Sequence, residues 1–554
     1  MALRSSTNRT WTRRARHAIL LLVFLAGTVG LESSAPAQVT DLTVSFTPSA
    51  GAFVDSETVT LTASAGAVIH FTLDGSLPSA VSPVYRDPIR LDRSTRLRAI
   101  AMAPATAARA GAANATPEAW REGPVAAETY LRVNPDAADF TSHLPIILIH
   151  TFESRALDPY GSAHVPAALL VLEPQDGTSR VVGRAALDAR IGIHVRGESS
   201  RTFPKKQYAV ELRADGNDSD SGQPLLGLPS HADWVMSDPV AYDRSLIRNA
   251  VAYALSNRIG RYASRTRFAE VFLVDGEGDV SAASFQGLFT VIEKIDRDSN
   301  RVSVARLPAS ANSLPAMTGG FILSIDKGQA DFAAGGRWLQ FVYPDAEEMA
   351  RPERAAQRDF IRGVVDGFAA AASAPDFRHP VTGQHYSEFI DVDAWIDHHI
   401  INVLTKNADG MRYSTYFHQD RGARLAAGPV WDFDRSLGTP YDARATEPEE
   451  WTAQWSRGGQ NFAEGWWALL FRDPAFTSRY RTRFKALLEH EFSADNLDRL
   501  VDGLAAEVGA AADRNFRRWP QTPPLNNSYA AEISQLKDFL RRRVAWITTQ
   551  LDNF

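Results

Sequence analysis

The chain has no cysteine, which excludes disulfides, thiolate metal sites and a cysteine nucleophile together. It has no excess of positive charge either: 59 Lys and Arg stand against 65 Asp and Glu, a formal net charge of -6. A surface of that sign lacks the basic stripe that neutralises phosphates along a duplex, so no nucleic-acid partner is expected. Long apolar runs are scarce. The run Ala18 to Leu31 is interrupted by Gly27, Thr28 and Gly30 and is shorter than the roughly 20 residues that cross a bilayer. Arg13, Arg14 and Arg16 precede it and Ala35-Pro36-Ala37 follows, so residues 1–37 read as a secretory signal peptide. Its removal would leave 54 basic and 64 acidic residues and no transmembrane segment. The expected location is secreted or cell envelope, in the bacterial periplasm or outside the cell. What the chain does have is core material: 44% apolar residues, with 28 Phe, 14 Tyr and 12 Trp among 554. That length predicts two to four domains at roughly 150 residues each.

Residues 38–133 read as a small all-β module. Leu42, Val44 and Phe46, then Val59, Leu61, Ile69, Phe71 and Leu73, alternate with polar or small residues, the pattern of half-buried strands. Asp74-Gly75 marks a tight turn, and Leu91 to Ala101 gives two more strands around a polar turn. An Ala-rich insertion follows near residues 103–118. The segment Ile69 to Pro78, with Ser82-Pro83-Val84-Tyr85 and Leu97-Arg98-Ala99-Ile100-Ala101, resembles the chitobiase/β-hexosaminidase C-terminal domain. That resemblance implies an immunoglobulin-like sandwich acting as a spacer, with cell-wall or glycan contact as the alternative.

From residue 134 onward the pattern is mixed. Leu144 to Ile149, Leu169 to Leu172 and Ile191 to Val195 read as strands. The last runs into a polar loop, Arg196-Gly197-Glu198-Ser199-Ser200-Arg201-Thr202-Phe203-Pro204-Lys205-Lys206, and Gln207 to Leu212 continues as a strand. Such a loop can offer backbone N–H groups and cations to a polyphosphate, although it lacks Walker spacing. Ser245 to Ile259 reads as an amphipathic helix with Arg244, Arg248 and Asn257 off its apolar face. Phe268 to Val274 and Gly287 to Ile292 read as a hairpin ending in Glu293-Lys294.

Two acids then flank a second hairpin. A helix through Trp395, Ile396, His399, Ile400, Val403 and Leu404 stops at Lys406-Asn407-Ala408-Asp409-Gly410. Arg412 to His418, a turn and Leu425 to Val430 lead to Trp431-Asp432-Phe433-Asp434. A hairpin returns its end close to its start, which predicts that Asp409 and Asp432 line one cleft. In protein kinases a catalytic-loop Asp accepts the acceptor proton, and the Asp of Asp-Phe-Gly holds magnesium on the phosphates. Asp397-His398-His399 lacks metal-ligand spacing, and Trp451, Trp455, Trp466, Trp467 and Trp519 read as core rather than as a sugar platform.

Taken together, Arg196 to Lys206, Asp233-Trp234-Val235, Ser245 to Asn249, Gln286 to Phe289, Asn407 to Gly410 and Gly428 to Asp434 resemble the CotH spore-coat protein kinase family. The resemblance implies an α+β chain. Its kinase part would be a bilobal, divergent protein-kinase-like domain, with a core at 134–440 and a helical C-terminal part at 441–554. It implies an atypical serine/threonine kinase using ATP and Mg2+ or Mn2+ on an extracellular or envelope protein. Carried over by position, Asp409 is the catalytic base, Asp432 the metal ligand, and Lys205 or Lys206 the phosphate lysine. Arg196, Ser199 and Ser200 would face the phosphates, and Glu293 and Lys294 the adenine side. The predicted helix has no Glu for the usual Lys–Glu pair, and Ser414 stands where kinases place a magnesium-binding Asn, so Asn407 or Asp434 would supply the further metal ligand. The alternatives are a catalytically silent kinase-fold scaffold or adhesion protein and a metal-dependent phosphoester hydrolase.

Overall fold

The computed structural model describes residues 42–64, 66–104, 120–152, 156–237, 241–451 and 461–553. The expected signal peptide, the insertion beyond Pro104 and Trp455 lie outside them.

The N-terminal region folds as two facing sheets. One contains Val44–Thr47, Glu57–Ala63 and Ile89–Leu91; the other contains Gly51–Phe53, Ala126–Arg132, Thr95–Pro104 and Val68–Thr72. Their inner faces meet through Val59, Leu61, Leu97, Ala99 and Tyr130. In Thr95–Pro104 the outer face is buried as well, because Arg96 and Arg98 turn toward the next region. Arg96 lies 3.1 Å from Asp188 and 2.5 Å from Asp215. Gly183–Arg184 also joins the sandwich as an added edge beside Gly51–Phe53. The sheet therefore runs across the boundary that composition placed at residue 133. A cavity of about 670 Å3 lies in this junction, lined by Arg96, Arg98, Arg132, Arg190 and Asp279 among others.

Seven strands follow: β1 (Ile146–His150), β2 (Val165–Leu172), β3 (Leu187–Arg196), β4 (Gln207–Arg213), β5 (Asp233–Ser237), β6 (Thr266–Val274) and β7 (Phe285–Glu293). They close into a barrel in the order β1-β2-β3-β4-β5-β7-β6, and the parallel pairing of β6 with β1 seals it. Alternation along each strand sends Ile147, Leu169, Ile191, Val210, Trp234 and Phe289 inward. Ile146, Leu148 and Leu170 point outward into a core shared with Ala52 and Leu131 of the sandwich.

The remaining chain builds a five-stranded sheet and a helical body. Its strands are β8 (Phe321–Ile325), β9 (Phe332–Ala334), β10 (Arg337–Tyr343), β11 (Thr415–Gln419) and β12 (Ala426–Ala427), in the order β9-β10-β8-β11-β12. Helices α1 (Arg248–Arg258), α2 (Ala355–Ser373), α3 (Val392–Thr405), α4 (Pro474–Glu489), α5 (Ala494–Val508), α6 (Ala511–Arg518) and α7 (Tyr529–Gln550) pack around it. Helix α3 is buried on nearly every face. Asp391 caps its start, accepting from the Ala394 amide at 3.1 Å. At its end the buried Arg543 of α7 donates to the Val403 carbonyl at 2.7 Å. Such a helix can be apolar all round only because neighbours surround it. Trp466, Trp467 and Trp519 are buried, in agreement with a core role. Arg248 departs from its sequence assignment. It is fully buried, 2.8 Å from Asp243 and donating to the Ser436 carbonyl at 3.1 Å. A guanidinium that finds a carboxylate and a carbonyl can leave water at the tight side of a helix. No described helix is long and apolar enough to cross a membrane.

Candidate functional site

Helix α1 docks directly on the Asp-Phe-Asp run. Asn249 Oδ1 accepts from the Phe433 amide at 2.7 Å, and the Tyr253 hydroxyl oxygen accepts from the Asp432 amide at 3.2 Å. Asn407 donates its side-chain amide to the Asp432 carbonyl at 3.3 Å. Three side chains thus hold Asp432 at φ 66°, a left-handed conformation that a non-glycine residue keeps only where its surroundings enforce it. Phe433 is buried in the main core, whereas Asp432 is exposed.

Two carboxylates meet at Ser414. Its hydroxyl lies 3.3 Å from Asp432 Oδ2 and 3.4 Å from Asp326 Oδ1. Asp326 follows the last residue of β8, so the central strand of the sheet delivers it. Burial raises its carboxyl above the usual range, and the charge of Asp432 adds to the rise. Burial also pushes Asp434 well up, followed by repulsion from Asp432 and a side-chain hydrogen bond with it. Arg435 opposes the rise at Asp434, and a second cation, Arg196 at the end of β3, has its guanidinium 5.8 Å from the Trp431 ring centre. Its charge acts on buried Tyr253 and half-buried Tyr416 in opposition to Asp432. Carboxylate oxygens are the hard donors that Mg2+ or Mn2+ takes, and repulsion among these carboxyls makes a nearby cation favourable.

Asp409 sits close by in the chain but has other partners. Asn407 Oδ1 accepts from the amides of Asp409 at 3.3 Å and Gly410 at 3.2 Å. One asparagine therefore ties the Asp409 turn to the Asp432 carbonyl. The Asp409 carboxylate itself meets Arg444, at 2.8 Å and 3.4 Å, and Arg435 at 3.9 Å. Both arginines also hold Asp442, at 2.6 Å and 2.7 Å. Burial alone would lower the Arg444 guanidinium, but its hydrogen bond to Asp442 and the charge of Asp409 raise it instead.

The other residues singled out in the sequence are placed as follows. Lys205 is buried and donates to the Leu288 carbonyl at 2.5 Å and to Asn515 Oδ1 at 2.7 Å, over the Phe289 ring. It fastens α6 to the barrel. Gly287, at φ 88°, makes room there, since a Cβ would lie 2.4 Å from Asn515 Oδ1. Lys206 donates to the carbonyls of Arg201 and Phe203, both at 2.7 Å, and so closes its own loop. Ser199 and Ser200 begin the short turn of that loop, where Ser199 is exposed and its carbonyl accepts from the Thr202 hydroxyl at 2.7 Å. Glu293 is fully buried and bound by Arg265 at 2.9 Å and 2.6 Å. Lys294 is exposed and lies 2.9 Å from Asp233. Among the described residues, the group that stands close enough to share an ion is His231, Asp233 and Asp296. There, however, Lys294 meets Asp233, and the Asp233 amide donates to His231 Nδ1 at 3.0 Å. His399 meets the Tyr480 hydroxyl at 3.0 Å, and Asp397 pairs with Arg261 and Arg483, so the Asp397-His398-His399 run is structural.

Sequence reasoning missed Asp326, Arg444 and Asp442. The signal for Asp326 was a carboxylate ending an apolar strand, Phe321 to Ile325. For the other two, nothing local distinguishes them from surface charge.

Comparison with known families agrees with this architecture. Residues 48–111 match the model of the chitobiase/beta-hexosaminidase C-terminal domain. No curated protein matches the chain at a significant level. Residues 193–547, more than half of the chain, match the model of the CotH kinase protein, and the chain belongs to that family.

Proposed function

We propose that the chain is an exported atypical kinase that transfers the γ-phosphoryl group of ATP to Ser or Thr of an extracellular or envelope protein. The barrel and the helical body are taken as the two lobes of a divergent kinase. The observation that carries the reading is that Asp326 and Asp432 share Ser414 while Asp434 is hydrogen-bonded to Asp432, in a chain whose family is kinase-like. Asp432 would be the principal ligand of Mg2+ or Mn2+, with Asp434 and Asp326 beside it. Asn407 spends its amide on the backbones of Asp432, Asp409 and Gly410 and is better described as a brace. A bound divalent ion supplies neutralisation of charge on the transferring phosphoryl oxygens.

The chain's own groups do the rest. Arg196 offers a guanidinium to phosphate oxygens, without the help expected from Lys205 or Lys206, both of which are held by protein carbonyls. Asp409 receives the acceptor hydroxyl proton as the new O–P bond forms and the bond to the β,γ-bridging oxygen breaks. Catalysis of this type is mostly positioning and charge stabilisation.

The test is labelled ATP with Mg2+ or Mn2+, using the mature protein, Asp409→Asn and Asp432→Ala. Label on protein that vanishes in both variants supports the kinase. Nucleotide binding without transfer supports a scaffold, and free phosphate without labelled protein supports a hydrolase; either of these outcomes overturns the reading.

A further inference from the structure

We propose that Arg444 is the positioning residue of the base carboxylate, with Asp442 as its anchor and Arg435 as a second clamp. The proposal rests on the reading of Asp409 as base. Arg444 lies on a short 3-10 turn, Ala443–Ala445, that Asp442 caps by accepting from the Arg444 amide at 3.1 Å. The same Asp442 holds the guanidinium, 2.9 Å from Nε and 2.6 Å from Nη2. Backbone and side chain of Arg444 are thus fixed by one carboxylate, and its planar fork can present both terminal nitrogens to Asp409 in one orientation. Arg435 is held from behind as well, 2.7 Å from Asp442 and over the Tyr242 ring at 4.3 Å.

Two arginines and two aspartates balance in charge, so the network adds no net charge beside the phosphates. What it adds is geometry. Asp409 belongs to the turn after α3 and has no helix or strand to restrain its side chain. A base must lie within hydrogen-bond reach of the proton it takes, and a misplacement of about 1 Å can cost about 100-fold. In the step itself the acceptor hydroxyl gives its proton to Asp409, its oxygen bonds the γ-phosphorus, and ADP leaves with the bridging oxygen. Asp409 then returns the proton to water, and Arg444 stays protonated throughout.

The test measures steady-state transfer from labelled ATP with Mn2+, to dephosphorylated casein and to the protein itself. The variants are Arg444→Gln, Arg444→Lys, Asp442→Asn and the pair Asp409→Asn/Arg444→Gln, each checked by thermal melting. Arg444→Gln is expected to lower kcat about 100-fold with KM for ATP within about twofold. Arg444→Lys, which keeps the charge and loses the fork, recovers only a few-fold of that. In the Asp409→Asn background Arg444→Gln costs less than about twofold more, because a group acting through Asp409 has nothing left to position. Asp442→Asn shows the same pattern at about tenfold and carries the test if Arg444→Gln fails to fold. Wild-type kcat in a folded Arg444→Gln, a loss confined to KM for ATP, or an equal loss in the Asp409→Asn background would each overturn the proposal while leaving the kinase reading intact. No transfer by the wild type would remove both.

Discussion

Buried charge is used differently at the sandwich–barrel junction and at the Asp-Phe-Asp turn. At the junction, arginines pair with aspartates across the boundary. Arg96 sits between Asp188 and Asp215, and Arg132 meets Asp279 at 2.6 Å. Burial would lower the Arg96 guanidinium, yet the two aspartates raise it. At the turn the carboxyls outweigh the cations near them: Asp326 and Asp434 are both pushed up, in part by Asp432, although Arg435 opposes the rise at Asp434. Matched ions hold surfaces together, whereas a gathering of like charges is a cost that a ligand can remove. A cavity of about 670 Å3 lies at the junction as well, so a cavity by itself does not single out the Asp-Phe-Asp turn.

Mutations can break this contrast. The largest effect is expected at the unmatched site: Asp432→Ala should abolish most phosphoryl transfer, by more than about 100-fold, with an unchanged or slightly higher melting temperature because a repelling charge is gone. A large drop in stability would place Asp432 with the structural ions instead. At the matched site the expectation reverses. Arg96→Met leaves Asp188 and Asp215 without their cation and should cost about 3–5 kcal/mol in urea unfolding, while transfer per folded molecule stays the same. A loss below about 1 kcal/mol would mean that the junction is too wet to be a buried pair.

Smaller effects sharpen the boundary between the two kinds of site. Gly287→Ala places a Cβ against Asn515 at a positive φ and should cost about 2–3 kcal/mol; adding Asn515→Ala should relieve part of it, and strict additivity would contradict the crowding. His398 shows a third solution, a titratable group kept neutral. It is buried against the Trp467 ring with neither ring nitrogen hydrogen-bonded, and burial lowers it to about 3. Its folded value lies below the unfolded one, so stability is present above about pH 6.5 and is lost as pH falls toward 3. Relative to its effect at pH 7, His398→Phe should recover about 2 kcal/mol at pH 5. A parallel pH dependence of wild type and variant would show that His398 does not titrate in this way.

Much of the fold was legible because its signals are local. Alternation marked Ile191 to Val195 and Leu97 to Ala101 as strands, and Asn407-Ala408-Asp409-Gly410 marked the end of α3. The hairpin between Asp409 and Asp432 followed from the turn at Gln419 to Arg424, and β11 pairs with β12 as that requires. Long-range closure was not legible. The barrel is sealed by parallel pairing of Ile146–His150 with Glu270–Val274, which no periodicity announces. Arg96 and Arg248 look like surface residues in the sequence, because their carboxylates come from loops or other strands. The same limit hid Asp326, 88 residues from Ser414, and Arg444, 35 residues from Asp409. Lys205 shows the reverse case: it stands in a motif that resembles a phosphate loop, but its ammonium reaches α6.

The central claim is that Asp326, Asp432 and Asp434 form the seat of a divalent ion bound with nucleotide. Titration of Mn2+ into the full-length mature protein with ATP, followed by electron paramagnetic resonance, tests it without requiring turnover. The account predicts saturable, nucleotide-dependent binding that weakens at least about tenfold in Asp432→Ala and in Asp326→Ala. Equal Mn2+ affinity in the wild type and both variants would contradict it.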